Sequence, residues 1–132
     1  MTTEPRKKAI YVGAPAAFKL EQACQMINDA LRSNDESVGC CYLVGSALER
    51  ADWRDVDVRY IMADAAFESL FPRAGQHWEH DPRWLLFTVS IAAWLAEYTA
   101  LPIDFQIQPQ THANARHAGS RSALGLRIAR SE

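Results

Sequence analysis

Two aspartates one residue apart, Asp55 and Asp57, open a stretch in which residues alternate in character, and a third, Asp104, sits in a second alternating stretch. Period-two alternation is strand spacing, so Asp55 and Asp57 are expected on one strand face with Cα atoms about 6.5–7 Å apart. A second strand paired beside the first, about 4.8 Å away, would carry Asp104 to the same point. Three carboxylates in mutual reach disfavour one another's ionisation, and a divalent cation relieves that repulsion. Magnesium suits hard oxygen ligands and takes few protein carboxylates, leaving substrate phosphates and water to complete its octahedron. Two such ions, ~3.5–4 Å apart, would activate an attacking hydroxyl and stabilise a departing pyrophosphate.

Gly45-Ser46 supplies the complementary half. A glycine after a strand lets backbone approach a phosphate closely and frees amide donors for its oxygens, and Ser46 adds a hydroxyl. Asp55, Asp57 and Asp104 are therefore the candidate catalytic and metal-binding residues. Gly45 and Ser46 are candidates for holding a phosphate.

These residues need elements to hold them. Pro15 to Ser33 has amphipathic helix spacing, Asn34 to Ser37 reads as a polar turn, and Val38 to Val44 is an apolar run fit for a buried strand. Asp55 to Met62 alternates, with Val56, Val58, Tyr60 and Met62 opposite Asp55, Asp57, Arg59 and Ile61. A short helix is expected over Ala65 to Phe71, stopped by Pro72, then a loop from Arg73 to His80. Asp81-Pro82 has N-cap and first-turn chemistry, so a helix should run to about Thr99, apolar over most of its circumference and buried in the core. After Leu101-Pro102, Ile103, Phe105 and Ile107 alternate with Asp104, Gln106 and Gln108 as a third strand.

Tyr42-Leu43-Val44-Gly45-Ser46, then Asp55-Val56-Asp57-Val58, then Pro102-Ile103-Asp104-Phe105 resemble the motifs of the nucleotidyltransferase superfamily, which contains DNA polymerase β and the minimal nucleotidyltransferases. The likeness spans residues 38–108. It implies an α+β fold, a small mixed β-sheet with helices packed on one face. It assigns metal binding to Asp55, Asp57 and Asp104, deprotonation of the acceptor to Asp104, and the triphosphate to Gly45-Ser46. The activity implied is a magnesium-dependent transfer of a nucleoside monophosphate from a nucleoside triphosphate, such as ATP, to a hydroxyl on a protein, a tRNA or a small molecule.

The chain departs from the family at three points. The spacer, residues 47–54, is slightly short, and Arg50 within it either meets a phosphate or, as its neighbour suggests, pairs with Asp52. Arg59 stands on the carboxylate face where members carry an apolar residue, and either contacts a phosphate or bridges to Asp57 or Asp104 in the metal's place. The alternative function is accordingly an inactive nucleotidyltransferase-fold binding or interaction module. Larger members append an acceptor-selecting helical domain; with 28 residues following Asp104 in this sequence, acceptor selection is expected from the arginine-bearing tail, a homodimer partner or a second protein.

The remaining features narrow the class. With 132 residues, 48% hydrophobic and 23% charged, the chain fits one globular domain, expected over residues 11–132 behind a flexible leader 1–10. A net charge of -2 selects no partner. The odd cysteine count reads as reduced thiols, and the missing signal-peptide pattern points to the cytoplasm. The longest apolar stretch, Trp84 to Ala96, is short of the ~20 residues of a membrane span. His77 and His80 lack further zinc ligands. Trp84 and Trp94 read as core, whereas Trp53 lies where a base could stack. The basic segment 109–132, with Arg116, Arg121, Arg127 and Arg130, reads as solvated, and His112 and His117 as weak candidates for phosphate contacts. P-loop, dinucleotide-binding, zinc-ribbon and hydrolase motifs are absent.

Overall fold

A computed structural model describes residues 11–31, 39–72, 77–119 and 121–126. The expected leader and the turn from Asn34 to Ser37 lie outside these residues. The fold is α+β, with a four-stranded mixed sheet in the order β3-β2-β1-β4. Helix α1 (Ala16–Leu31) precedes β1 (Gly39–Val44); α2 (Ser46–Glu49) leads to β2 (Val56–Met62), and α3 (Asp64–Leu70) follows. A 3-10 turn at Trp78–His80 falls within the expected loop, and the long helix α4 (Pro82–Thr99) leads into β3 (Ile103–Pro109). The chain continues as α5 (Gln110–Arg116) and β4 (Ser122–Leu124), in a segment where sequence periodicity fades.

Strand alternation divides the sheet into two faces. Strands β1 and β2 are antiparallel, pairing Leu43 with Val58 and Cys41 with Tyr60, while β2 and β3 are parallel, pairing Val58 with Phe105 and Tyr60 with Ile107. These residues belong to one core cluster with Leu20, Ala23, Cys24 and Ile27 of α1 and Trp84 and Leu95 of α4. Complete removal of such side chains from water is the main stabilising term, about 1.5–3 kcal/mol for each large one. Phe67, Phe71 and Trp78 extend the cluster through tilted and edge-on ring contacts.

Helix α4 begins as its sequence dictates. Asp81 Oδ1 accepts from the amides of Arg83 at 2.7 Å and Trp84 at 3.2 Å, and Pro82 needs no partner for the N–H it lacks. Its burial differs from expectation, because Leu86 and Val89 are 66% and 61% exposed and Trp94 stacks on Tyr98 at the surface. One helix can press only part of its circumference against a sheet and α1; a helix apolar nearly all round therefore leaves a stripe uncovered. Among the described residues no helix is long and apolar enough to cross a membrane.

Asn28 ties the late strand to the early one. Its Oδ1 accepts from the Cys41 amide at 2.8 Å, and its Nδ2 donates to the carbonyls of Leu124 at 3.0 Å and Gly125 at 3.3 Å. Gly125 has φ 73° and lies against the α1 backbone at Cys24 and Gln25, where a side chain would collide. β4 is thereby fixed at the sheet edge. Cys24 and Cys41 are buried free thiols, and Cys40 is half-buried.

Candidate active site

The other face of the sheet carries the charged residues. In the parallel ladder Asp57 is the register partner of Asp104, so the two carboxylates emerge side by side from neighbouring strands on one face. Val44, the last residue of β1, is the partner of Asp57 on its other side. Gly45 follows with φ 79° and ψ -156°, a region open essentially to glycine alone. A Cβ there would run into the Asp57 carboxylate. The absence of a side chain thus lets the Gly45 backbone lie against Asp57, and Ser46 opens α2 directly behind it.

Asp55 differs from its expected placement. It stands in a bend before β2 begins at Val56, exposed, so strand geometry does not aim it alongside Asp57. The bend follows from the parallel ladder, whose first bond joins the Val56 amide to the Pro102 carbonyl at 2.8 Å. Its charge is still felt. Burial pushes the Asp57 carboxyl above its usual range; the Arg59 guanidinium opposes the shift, and the charges of Asp104 and Asp55 add to it.

Arg59 is 8% exposed and turns toward β3. Its Nη1 donates to the Asp104 carbonyl at 2.7 Å and to the Val58 carbonyl at 3.1 Å, and lies 3.6 Å from Asp104 Oδ1. Of the two carboxylates it was expected to reach, Asp104 is the one it bridges. Burial draws the guanidinium below its ordinary value, against the pull of Asp104 and Asp57. Arg50 pairs with Asp52 at 3.2 Å, both exposed. Trp53 donates its indole N–H to the Tyr11 carbonyl at 2.7 Å and packs on the core, which gives its ring a structural role.

Among the described residues, no three acidic, histidine or cysteine side chains gather as a metal-holding group. The expected three-carboxylate cluster is therefore reduced to Asp57 and Asp104. That pair suits magnesium, which commonly takes one or two protein carboxylates and fills its shell with phosphate and water.

A cationic group whose assembly the sequence does not announce borders the carboxylates. Tyr42 is the register partner of Arg59, and the Arg121 guanidinium lies over the Tyr42 ring, 5.0 Å from its centroid. His117 caps the end of α5, and its imidazole is held below its usual value by burial and by Arg59, Arg116 and Arg121. Tyr42 was legible as a strand residue in phase with Val44. Nothing in the spacing of the tail announces that it folds back onto this face. His77 and His80 stack 6.2 Å apart beside a cleft of about 530 Å³ and join no metal-holding group.

No family model, curated protein or solved structure matches this chain.

Proposed function

We propose that the chain is a magnesium-dependent nucleotidyltransferase that moves a nucleoside monophosphate from a nucleoside triphosphate to a hydroxyl acceptor. The observation carrying this reading is the pairing of Asp57 with Asp104 in the parallel ladder, with the Gly45 backbone pressed against the Asp57 carboxylate. In the reaction, the acceptor oxygen bonds to the α-phosphorus, the bond from that phosphorus to the bridging oxygen breaks, and pyrophosphate leaves with the electron pair. Asp57 and Asp104 would hold magnesium, which supplies charge neutralisation at the phosphates and a more acidic acceptor hydroxyl. Gly45 and Ser46 would present amide and hydroxyl donors to the triphosphate. Asp104, the more exposed partner at 48% of its side chain, would take the acceptor proton. A cytoplasmic setting and a protein, tRNA or small-molecule acceptor belong to the same proposal, as does acceptor selection by a second copy or another protein.

The test is incubation with magnesium and each labelled nucleoside triphosphate, alone and with cell extract, comparing wild type with Asp57→Ala. Label transfer and pyrophosphate release should fall by about two orders of magnitude or more in the variant, as when a group acting on the transition state is removed. Equal turnover in both proteins, or none in either, would overturn the transferase reading.

The Arg59–Asp104 contact favours a second reading, a module that binds nucleotide without turnover because a guanidinium occupies the carboxylate a cation would need. Arg59→Met separates the two. Under the first reading transfer falls, whereas under the second the freed carboxylates gain magnesium affinity over wild type.

A further inference from the structure

The carboxylate pair accounts for one end of the charged face and leaves the cations at the other end unexplained. Tyr42, Arg59 and Gln106 are register partners across β1, β2 and β3, so they form one row two residues along from Asp57 and Asp104. Arg121 reaches this row from beside β4 by lying over Tyr42, while its Nη2 donates to Asn114 of α5 at 2.9 Å. His117 ends the same helix, three residues beyond the Asn114 that Arg121 contacts, and lies within electrostatic reach of Arg59, Arg116 and Arg121. The β4 edge that carries Arg121 is itself held by Asn28 and by the close approach of Gly125 to α1. This arrangement is built, with its cations held on the sheet.

Three polar nitrogens of this group are buried and have no hydrogen-bond partner among the described residues: Arg59 Nε, Arg121 Nη1 and His117 Nε2. Arg59 as a whole is more than nine-tenths buried. Buried donors without acceptors are costly, and native folds leave few of them. The two guanidinium nitrogens are obligate donors on positively charged side chains and call for an acceptor that is anionic and has several oxygens; His117 Nε2 adds a third donor in the matching tautomer. Guanidinium forks match phosphate oxygens in geometry as well as charge.

We propose that Arg59, Arg121 and His117, framed by Tyr42, form a binding site for a phosphoanion adjacent to the carboxylate pair. The site goes beyond the transfer reaction and stands without it, because occupancy here requires neither magnesium nor turnover. The phosphoryl group belongs either to the polyphosphate tail of the nucleotide or to a phosphorylated acceptor.

Calorimetric titration of the full chain with inorganic tripolyphosphate, in chelator and without divalent metal, tests the site. Wild type should bind, and Arg121→Ala should weaken binding about tenfold or more, the scale of losing a charge-assisted contact. His117→Ala should weaken it less and serves as the second variant if Arg121→Ala fails to fold. Lack of binding by wild type at about 1 mM, or unchanged affinity in both folded variants, would overturn the proposal. Competition by ATP would assign the anion to the donor, whereas tripolyphosphate binding to ATP-saturated protein would assign it to the acceptor; each supports the site. Tripolyphosphate binding without label transfer would remove the transferase reading and leave this site intact. Label transfer without tripolyphosphate binding would do the reverse.

Discussion

The two faces of the sheet are built by alternate residues of the same strands, yet they solve opposite problems. On the helical face Leu43, Val58 and Tyr60 are sealed from solvent under α1 and α4. On the charged face Asp57 is partly desolvated beside like charge, and Arg59 is buried with one nitrogen unpaired. Val44 and Ile61 are buried on that face as well but lie outside the main core cluster. The contrast teaches where stability is made and where it is given up. Groups that would be cheaper in water are held in place on one face by apolar packing on the other.

The comparison breaks most visibly through the helical layer. Leu95→Ala, at a fully buried position of α4, should lower unfolding free energy by about 3 kcal/mol, read as a lower denaturant midpoint at unchanged slope. A loss below about 1 kcal/mol would mean that α4 does not seal the core. Gly45→Ala should cost about 1–3 kcal/mol from its backbone conformation alone. It should also abolish nucleotide binding by displacing the Asp57 carboxylate, and nucleotide affinity unchanged from wild type would separate Gly45 from the site. Removing the α4 cap with Asp81→Ala should cost about 1 kcal/mol in the same unfolding assay, with nucleotide affinity retained.

The smallest stability effect is expected at the residue with the largest functional one. Asp57→Asn should leave the protein at least as stable as wild type near neutral pH while abolishing transfer. The sign follows from the carboxyl being pushed above its ordinary value of 3.8 in the folded state. Above the folded value the ionised group subtracts from stability; the penalty fades as pH falls through that value and is gone below the unfolded one. The advantage of the asparagine variant should therefore shrink as pH falls from neutral toward the unfolded value of 3.8. Asp64, held below its usual value by Thr111, loses stability on acidification in both proteins and cancels in the difference. An advantage that grows on acidification would contradict the desolvated carboxyl.

Sequence by itself determined the period-two strands and the capped helix, because these follow from local rules. Alternation set which residues of β2 and β3 face together, Asp81-Pro82 set the start of α4, and the positions of Gly45, Asp57 and Asp104 announced a shared site. Tertiary structure decided the rest. That Asp57 and Asp104 are neighbours depends on β3 pairing parallel to β2, a contact between segments dozens of residues apart. Asp55 left the strand because the ladder starts one residue later, and Arg59 took Asp104 because the neighbouring strand brought that carbonyl and carboxylate within reach. The tail, aperiodic as sequence, returned Arg121 and His117 to the same face through Asn28 and Gly125. The carboxylate pair and Arg59 beside it were thus legible in the chain, whereas the return of Arg121 and His117 to the same face was not, since only long-range packing brings them there.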